Sequence, residues 1–355
     1  MSILDSPGEY KKIDPTQIIQ NIHELPDQIG VVWEEMKNFV LPSHYIQCNK
    51  IVLTGMGGSS MGAALAKTLV TQSSRMPIEI IRDYEMPNYV DNKTLVVAIS
   101  YSGGTEETLS SALDAQKRDA KIVAISSGGA LESLAKKHRL PHFKINYGSQ
   151  ARAALGYSYT AVCAIFKKMG ILEISDDQIQ KAVSQMKNAM KKIAPEVPST
   201  QNPAKQLAER LHGKIPVIVG SGIMQEVARR YKGQFNENAK TSSYFEAIPE
   251  MNHNSLVGTE FPENLPNNLF IILLGSKFDN PRNNLRVDIT AQILAKRKIQ
   301  YEIIQPTPAS NKIAEQLLSI HFGDYTSYYL AMLYGVDPEP VEIIKFLKDS
   351  LADVK

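Results

Sequence analysis

The chain has 355 residues, 39 of them basic and 37 acidic, with a formal net charge of +2 at pH 7. This length is enough for two ordinary domains, and 43% hydrophobic residues support sizeable cores. The balance of charge indicates no broad basic surface, although it leaves a local basic patch open, and we expect no nucleic-acid partner. No apolar run is long enough to cross a bilayer, and the N-terminus lacks the apolar core of a signal peptide, so we expect no membrane partner.

The two cysteines, Cys48 and Cys163, show neither a paired nor a metal-binding spacing. This usage favours reduced thiols in a cytoplasmic protein.

The first 45 residues predict an N-terminal helical arm, broken near Pro26. A strand over 51–54 then leads into the glycine-rich turn GMGGSS and a helix over 61–70. A dinucleotide fingerprint needs glycine where Ser60 stands, and a P-loop needs a Gly-Lys-Ser/Thr step that is missing. The turn therefore matches neither nucleotide motif, and close packing of strand on helix is the alternative explanation for its glycines.

The apolar run 95–99 predicts a buried strand, and the turn after it is rich in hydroxyl groups and glycine. Ser100, Ser102 and Thr105 precede a helix that begins near Glu106. Free backbone N–H groups, the helix dipole and three hydroxyls favour a bound anion such as a phosphate. The alternative is that these hydroxyls only cap the helix.

Strands at 51–54, 78–81, 95–99 and 121–126 alternate with helices, which predicts a parallel, doubly wound α/β sheet. Ligands of such sheets bind at the carboxyl ends of the strands, where both small-residue turns lie. Arg152 is the only charge in a stretch of small and apolar residues, and it is either an interface ion pair or an anion ligand.

The segment 195–203 contains three prolines and predicts a linker, after which the pattern of the first half recurs. The second half has lost the Gly-Gly-Thr of the phosphate turn, so we expect phosphate to bind only in the first half. Glu237 ends a predicted helix, and His253 lies in a polar loop. A carboxylate and an imidazole brought to one cleft form an acid–base pair.

Six motifs, GMGGSSMGA, AISYSGGTEET, SQARAALGY, FNENAK, EMNHNSLVG and VDPEPVEIIKFLK, make the chain similar to the bifunctional phosphoglucose/phosphomannose isomerases, from about residue 50 to the end. The family is built from two sugar-isomerase (SIS) domains. The resemblance implies an α/β fold of two SIS-type doubly wound parallel-sheet domains in tandem, with an N-terminal helical arm and a C-terminal helical segment. We expect the limits 1–45 for the arm, 46–194 for the first domain, 195–203 for the linker, 204–335 for the second domain and 336–355 for the last helix.

The resemblance also implies roles for named residues. The sugar phosphate would be held by Gly57, Gly58, Ser59, Ser100, Ser102 and Thr105. Glu237 would move a proton between C1 and C2, Arg152 would stabilise the enediolate, and His253 would assist ring opening from the neighbouring subunit of a homodimer. A lysine of the last helix would contact substrate, with Lys348 favoured over Lys345. No metal and no cofactor is implied.

Two alternatives belong to other functional classes. A sugar-phosphate-sensing SIS module would share the phosphate turn but has no need of Glu237 or His253. A glucosamine 6-phosphate-forming amidotransferase needs an early nucleophilic cysteine, and the first cysteine here is Cys48.

Overall fold

The structure, a computed structural model, describes residues 2–353. The N-terminal helices are α1 (Tyr10–Ile13), α2 (Ile18–His23), α3 (Leu25–Lys37) and α4 (Ser43–Ile46). Pro26 lies in the first turn of α3, where a missing N–H group costs no intrahelical hydrogen bond. The predicted break near Pro26 is therefore the start of a new helix.

The first sheet alternates with helices as the sequence predicts. Its elements are β1 (Lys50–Thr54), α5 (Gly57–Val70), β2 (Ile78–Ile81), β3 (Thr94–Ile99), α6 (Glu106–Lys117), β4 (Lys121–Ser126), α7 (Gly129–His138) and β5 (His142–Lys144). All pairings are parallel and the strand order is β2-β1-β3-β4-β5. Along β3, Leu95 and Val97 enter one apolar cluster and Val96 and Ala98 the other, so both faces of the sheet are covered.

The second half repeats this arrangement after α8 (Leu155–Lys168) and α9 (Asp176–Met190). Its elements are α10 (Pro203–Leu211), β6 (Ile215–Gly220), α11 (Gln225–Glu237), β7 (Tyr244–Ala247), α12 (Leu265–Asn268), β8 (Leu269–Leu274), α13 (Pro281–Lys296) and β9 (Gln300–Ile304). The parallel strand order β7-β6-β8-β9 matches the order β2-β1-β3-β4. The predicted tandem repeat of α/β sheets is confirmed.

Two helices follow the second sheet, α14 (Lys312–Tyr334) and α15 (Glu342–Ala352). Helix α14 is buried nearly all round and packs against α9, α10 and α11. This burial assigns α14 to packing within the chain. The N-terminal helices also join the main core, since α3 packs on α8 and α9 and α2 packs on α14.

Several element bounds differ from the sequence-based expectation. Strands β5 and β7 are short edge strands that the apolar pattern did not predict. Helix α5 begins at Gly57 instead of near residue 61, so the glycine-rich turn is the first turn of the helix. The last helix begins at Glu342 instead of near residue 336. No helix among residues 2–353 is both long and apolar enough to span a membrane.

The predicted linker, 195–203, is held by buried and partly buried polar contacts. Asp5 accepts hydrogen bonds from the backbone N–H and the hydroxyl of Ser199, at 2.7 and 2.8 Å. The side chain of Asn202 caps α10, and the Lys205 ammonium group donates to the carbonyl of Pro195 at 2.7 Å. These bonds fix the connection between the two halves.

Candidate active site

The phosphate-binding residues predicted from the sequence lie in two adjacent turns at the carboxyl ends of β1 and β3. The hydroxyl of Ser59 accepts a hydrogen bond from the backbone N–H of Tyr101 at 3.0 Å, which joins the two turns. Gly103 has φ +68, and a Cβ there would lie 1.8 Å from the carbonyl oxygen of Gly128. Glycine at this position lets the turn after β4 lie directly against the turn after β3.

The hydroxyls of the second turn are not used as helix caps. Thr105 occupies the N-cap position of α6, but its side chain makes no capping hydrogen bond. Its Oγ1 lies 2.8 Å from the Oγ of the fully buried Ser100, and Ser102 is exposed with its Oγ 3.3 Å from the backbone nitrogen of Gly104. Uncapped N–H groups at a helix start and an adjacent pair of hydroxyls suit a bound anion. The capping alternative is therefore not supported.

Arg152 lies beside the first turn and is almost fully buried. A Cβ at Gly58 would lie 2.8 Å from the backbone nitrogen of Arg152, so the helix start and the arginine are in close backbone contact. The guanidinium Nε donates to Asn238 at 3.0 Å, and Nη2 donates to the carbonyls of Pro338 and Glu339, both at 2.7 Å. Burial lowers the pKa of Arg152, although arginine stays protonated in proteins. The guanidinium is thus a fixed positive charge.

Glu237 faces the remaining edge of that guanidinium. Its carboxylate lies 3.6 Å from Nη1 of Arg152, and its side chain is 31% exposed. It is the last residue of α11, a helix of the second half, whereas Arg152 follows the first sheet. The ion pair therefore spans the two halves, and its carboxylate stays open to solvent. Arg152 forms the ion pair that one alternative expects. The other alternative, an anion ligand, is also compatible with this position, because an anion at the open side would contact the same guanidinium.

The asparagines on either side of Glu237 anchor the end of α11. The Asn238 amide donates to the hydroxyl of Ser327 at 3.0 Å while its oxygen accepts from Arg152. The Asn236 amide donates to the carbonyl of Thr241 at 2.8 Å, and its buried oxygen has no hydrogen-bond donor among residues 2–353. These contacts fix the backbone from which the Glu237 side chain extends.

His253 and Lys348 are not joined to this pair within one chain. His253 ends a short 3-10 helix, Glu250–His253, and its side chain makes no hydrogen bond to any residue that the structure describes. Lys348 lies on the exposed helix α15, where Lys345 pairs instead with Asp349 at 2.8 Å. Among residues 2–353, no hydrogen bond or ion pair joins His253 or Lys348 to Arg152 or Glu237.

Comparison with known proteins identifies the family of the chain. The family model for the SIS domain matches residues 44–170, and the model for the bacterial phospho-glucose isomerase C-terminal SIS domain matches residues 200–351. A bifunctional phosphoglucose/phosphomannose isomerase of Caldicellulosiruptor bescii is 40% identical over 95% of this chain and 100% of its own length. The chain belongs to the bifunctional phosphoglucose/phosphomannose isomerase family. A second family member, from Aquifex aeolicus, is 34% identical over 90% of this chain and 94% of its own length.

Solved structures support the fold of this family member. A hypothetical protein of Thermus thermophilus superposes with a TM-score of 0.75 at 17% identity, covering 98% of this chain and 94% of that one. At this identity the likeness concerns the fold of two SIS domains alone.

Two residues of this phosphoglucose/phosphomannose isomerase family member, besides those predicted, contact the segments around Arg152 and Glu237. Lys240 has φ +54, and its ammonium group donates to the backbone carbonyl of Glu237 at 2.6 Å. Burial lowers the pKa of Lys240, and the nearby Arg152 charge lowers it further. Gln150 donates to the carbonyl of Glu339 at 3.1 Å, beside the arginine. Lys240 also lies 3.3 Å from the carbonyl oxygen of Pro338, so both residues contact a segment far away in the chain, which their motifs do not show.

Proposed function

We propose that this protein is an aldose–ketose isomerase that interconverts glucose 6-phosphate, and also mannose 6-phosphate, with fructose 6-phosphate. The observation that carries the proposal is the Arg152–Glu237 pair, a partly exposed carboxylate 3.6 Å from a buried guanidinium. It lies next to the turn that contains Gly58. Membership of the family supports the same substrates, since its curated members carry both activities in their names.

Substrate binding in this proposal starts at the phosphate. The residues Gly57, Gly58, Ser59, Ser100, Ser102 and Thr105 bind the phosphate through backbone N–H groups at the starts of α5 and α6 and through hydroxyls. Because the phosphate is remote from C1 and C2, it positions the sugar without taking part in the reaction. The open end of the substrate then reaches the Arg152–Glu237 pair.

Proton transfer is assigned to Glu237. Its carboxylate accepts the proton from C2 of the open-chain aldose, and the C–H electron pair forms the C1–C2 double bond while the C1 oxygen gains negative charge. The fixed Arg152 guanidinium stabilises this enediolate without reorganising. Return of the proton to C1, with transfer of the O2 hydroxyl proton to O1, gives the ketose.

We also propose that the active unit is a homodimer in which His253 serves the partner's site. His253 assists ring opening by moving a proton between sugar oxygens. Helix α15 offers a surface on which a second copy of the chain could pack, which supports the dimer. Five of its apolar side chains are exposed: Ile343, Ile344, Phe346, Leu347 and Leu351. Lys348 on this helix contacts the substrate in the same assembly. Two buried free thiols, Cys48 and Cys163, support a cytoplasmic location.

A coupled assay with glucose 6-phosphate and mannose 6-phosphate tests the proposed reaction. We expect fructose 6-phosphate to form from both, and heat-inactivated protein is the control. The sensing SIS module is the alternative, and binding of both sugar phosphates without turnover would favour it. Only the isomerase has a use for a carboxylate held open beside a guanidinium.

A further inference from the structure

The second sheet has its own pair of turns at the carboxyl ends of its strands. The turn after β6 contains Ser221 and Gly222, and the turn after β8 contains Ser276 and Lys277. They correspond to the turns after β1 and β3, because the order β7-β6-β8-β9 matches the order β2-β1-β3-β4 of the first sheet. In each β3-type turn a serine hydroxyl lies close to the backbone nitrogen two residues later, at 3.3 Å for Ser102 and 3.1 Å for Ser276.

The donors of the turn after β8 are directed at a carboxylate of the chain itself. Glu315, in the first turn of α14, is fully buried. Its Oε1 accepts the backbone N–H of Lys277 at 3.0 Å, and its Oε2 accepts the hydroxyl of Ser276. Burial raises the pKa of the Glu315 carboxyl, while the two donated hydrogen bonds and the Lys277 charge oppose that rise.

A second carboxylate occupies the other turn. Asp279 accepts the hydroxyl of Ser221, and its Oδ1 would lie 2.6 Å from a Cβ added to Gly222. The side chain of Asn280 caps the helix that follows, α13. In α6, by contrast, the N-cap residue Thr105 makes no side-chain capping bond. Every feature that suits an exogenous anion in the first sheet is thus matched in the second by an internal acceptor.

We propose that the second SIS domain keeps an anion site of the phosphate-binding type and that the carboxylate of Glu315 is its resident ligand. A phosphate or phosphate monoester binds this turn only when that carboxylate is removed. A cavity of about 900 Å³, lined in part by Phe278 and residues 310–313, lies beside the segments that carry this turn and the start of α14. The internal ligand limits each chain to one sugar-phosphate site, and this inference does not depend on the reaction catalysed at that site.

Replacement of Glu315 in a Thr105→Val background tests the inference, because that background weakens phosphate binding in the first domain. Glu315→Ala leaves the donors of Ser276 and Lys277 without an acceptor. Inorganic phosphate, compared with chloride at equal ionic strength, is expected to raise the Tm of this variant by roughly 2–5 °C more than that of its parent. Titration calorimetry is expected to show one additional phosphate per chain.

Glu315→Gln is the matched control, since the amide fills the same volume and still accepts the Lys277 N–H. We expect its Tm to respond to phosphate as the parent does. An equal response of the alanine and glutamine variants would overturn the proposal. If Glu315→Ala folds poorly, its refolding yield and that of the milder Glu315→Ser are expected to recover in phosphate and not in chloride. Equal yields in the two salts would also overturn it.

Discussion

Nη1 of Arg152 lies 3.6 Å from the carboxylate of Glu237, and these two residues belong to different halves of the chain. The arginine is fixed from behind by Asn238 and by the carbonyls of Pro338 and Glu339. Its charge is therefore held in place before substrate binds. A preorganised cation costs no reorganisation when negative charge develops, which is the physical basis of the predictions on catalysis below.

Arg152→Lys is expected to lower kcat for glucose 6-phosphate by roughly 10²–10³-fold, the usual cost of losing a preorganised oxyanion donor. Lysine keeps the charge, but its single ammonium group cannot donate to the carbonyls of Pro338 and Glu339 and pair with Glu237 at the same time. Arg118→Lys, in a partly buried ion pair with Asp114 of α6, is the matched control and should leave kcat unchanged. A kcat for Arg152→Lys within a few-fold of wild type would remove this arginine from the mechanism.

Thr105→Val is expected to weaken substrate binding more than it slows turnover. The hydroxyl would contact the phosphate in both ground and transition states, so KM should rise more than kcat falls. The expected effect is about 1–3 kcal/mol, the range for hydrogen bonds to charged groups. Ser133→Ala, whose hydroxyl bonds only to its own helix, is the control. An unchanged KM for Thr105→Val and for Ser100→Ala would place the phosphate elsewhere.

His321 is expected to make stability depend on pH. Burial lowers its pKa from the ordinary 6.5 to about 4, while Nε2 lies 2.8 Å from the carbonyl oxygen of Ile22. Between these values the unfolded chain binds the proton and the folded chain does not, so stability is full above about pH 6.5 and falls toward pH 4.

Urea unfolding at pH 7 and pH 5 measures this dependence. His321→Gln should lose less stability than wild type over that interval, by on the order of 1–2 kcal/mol. The other titrating groups are common to both proteins, so they cancel in the difference. If both proteins lost the same free energy of unfolding between pH 7 and pH 5, the pKa of His321 would not be lowered in the folded state.

Mixing two inactive variants tests the shared active site. Glu237→Gln and His253→Ala should each be nearly inactive alone. After subunit exchange, one site of a mixed dimer carries both changes and the other carries neither. Activity should then recover to about a quarter of wild type, since random pairing leaves about half of the dimers mixed with one intact site each. No recovery, with exchange confirmed by a tag, would mean that both residues serve the site of their own chain.

The sequence predicted most of the fold because buried strands carry a local signal. The runs that became β3 and β8 are continuous and apolar, as strands covered on both faces must be. Strands β5 and β7 escaped prediction because they are short and lack an apolar β-branched run, whereas the edge strand β2 was predicted from its isoleucines. Strand β5 pairs with β4 and strand β7 pairs with β6, and no local sequence pattern shows such pairing.

The site was predicted less completely, for a related reason. The hydroxyls and glycines after β3 lie within six residues of one another, so the sequence alone could predict an anion-binding turn there. The groups that hold Arg152 could not be predicted, because every residue has a backbone carbonyl. Only the fold brings those of Pro338 and Glu339 to the arginine. Glu315 gave no signal for the same reason, since a glutamate at a helix start is ordinarily solvated.

The rate of Glu237→Gln with glucose 6-phosphate tests the central claim most directly. Glutamine keeps the volume of the side chain but cannot accept the proton from C2, so kcat should fall by roughly two to four decades. Binding of the substrate, measured by calorimetry, should change little, and Glu260→Gln, on an exposed pair with Arg297, should behave as wild type. A Glu237→Gln protein that retains a kcat within tenfold of wild type would contradict the account and place the catalytic base on another residue.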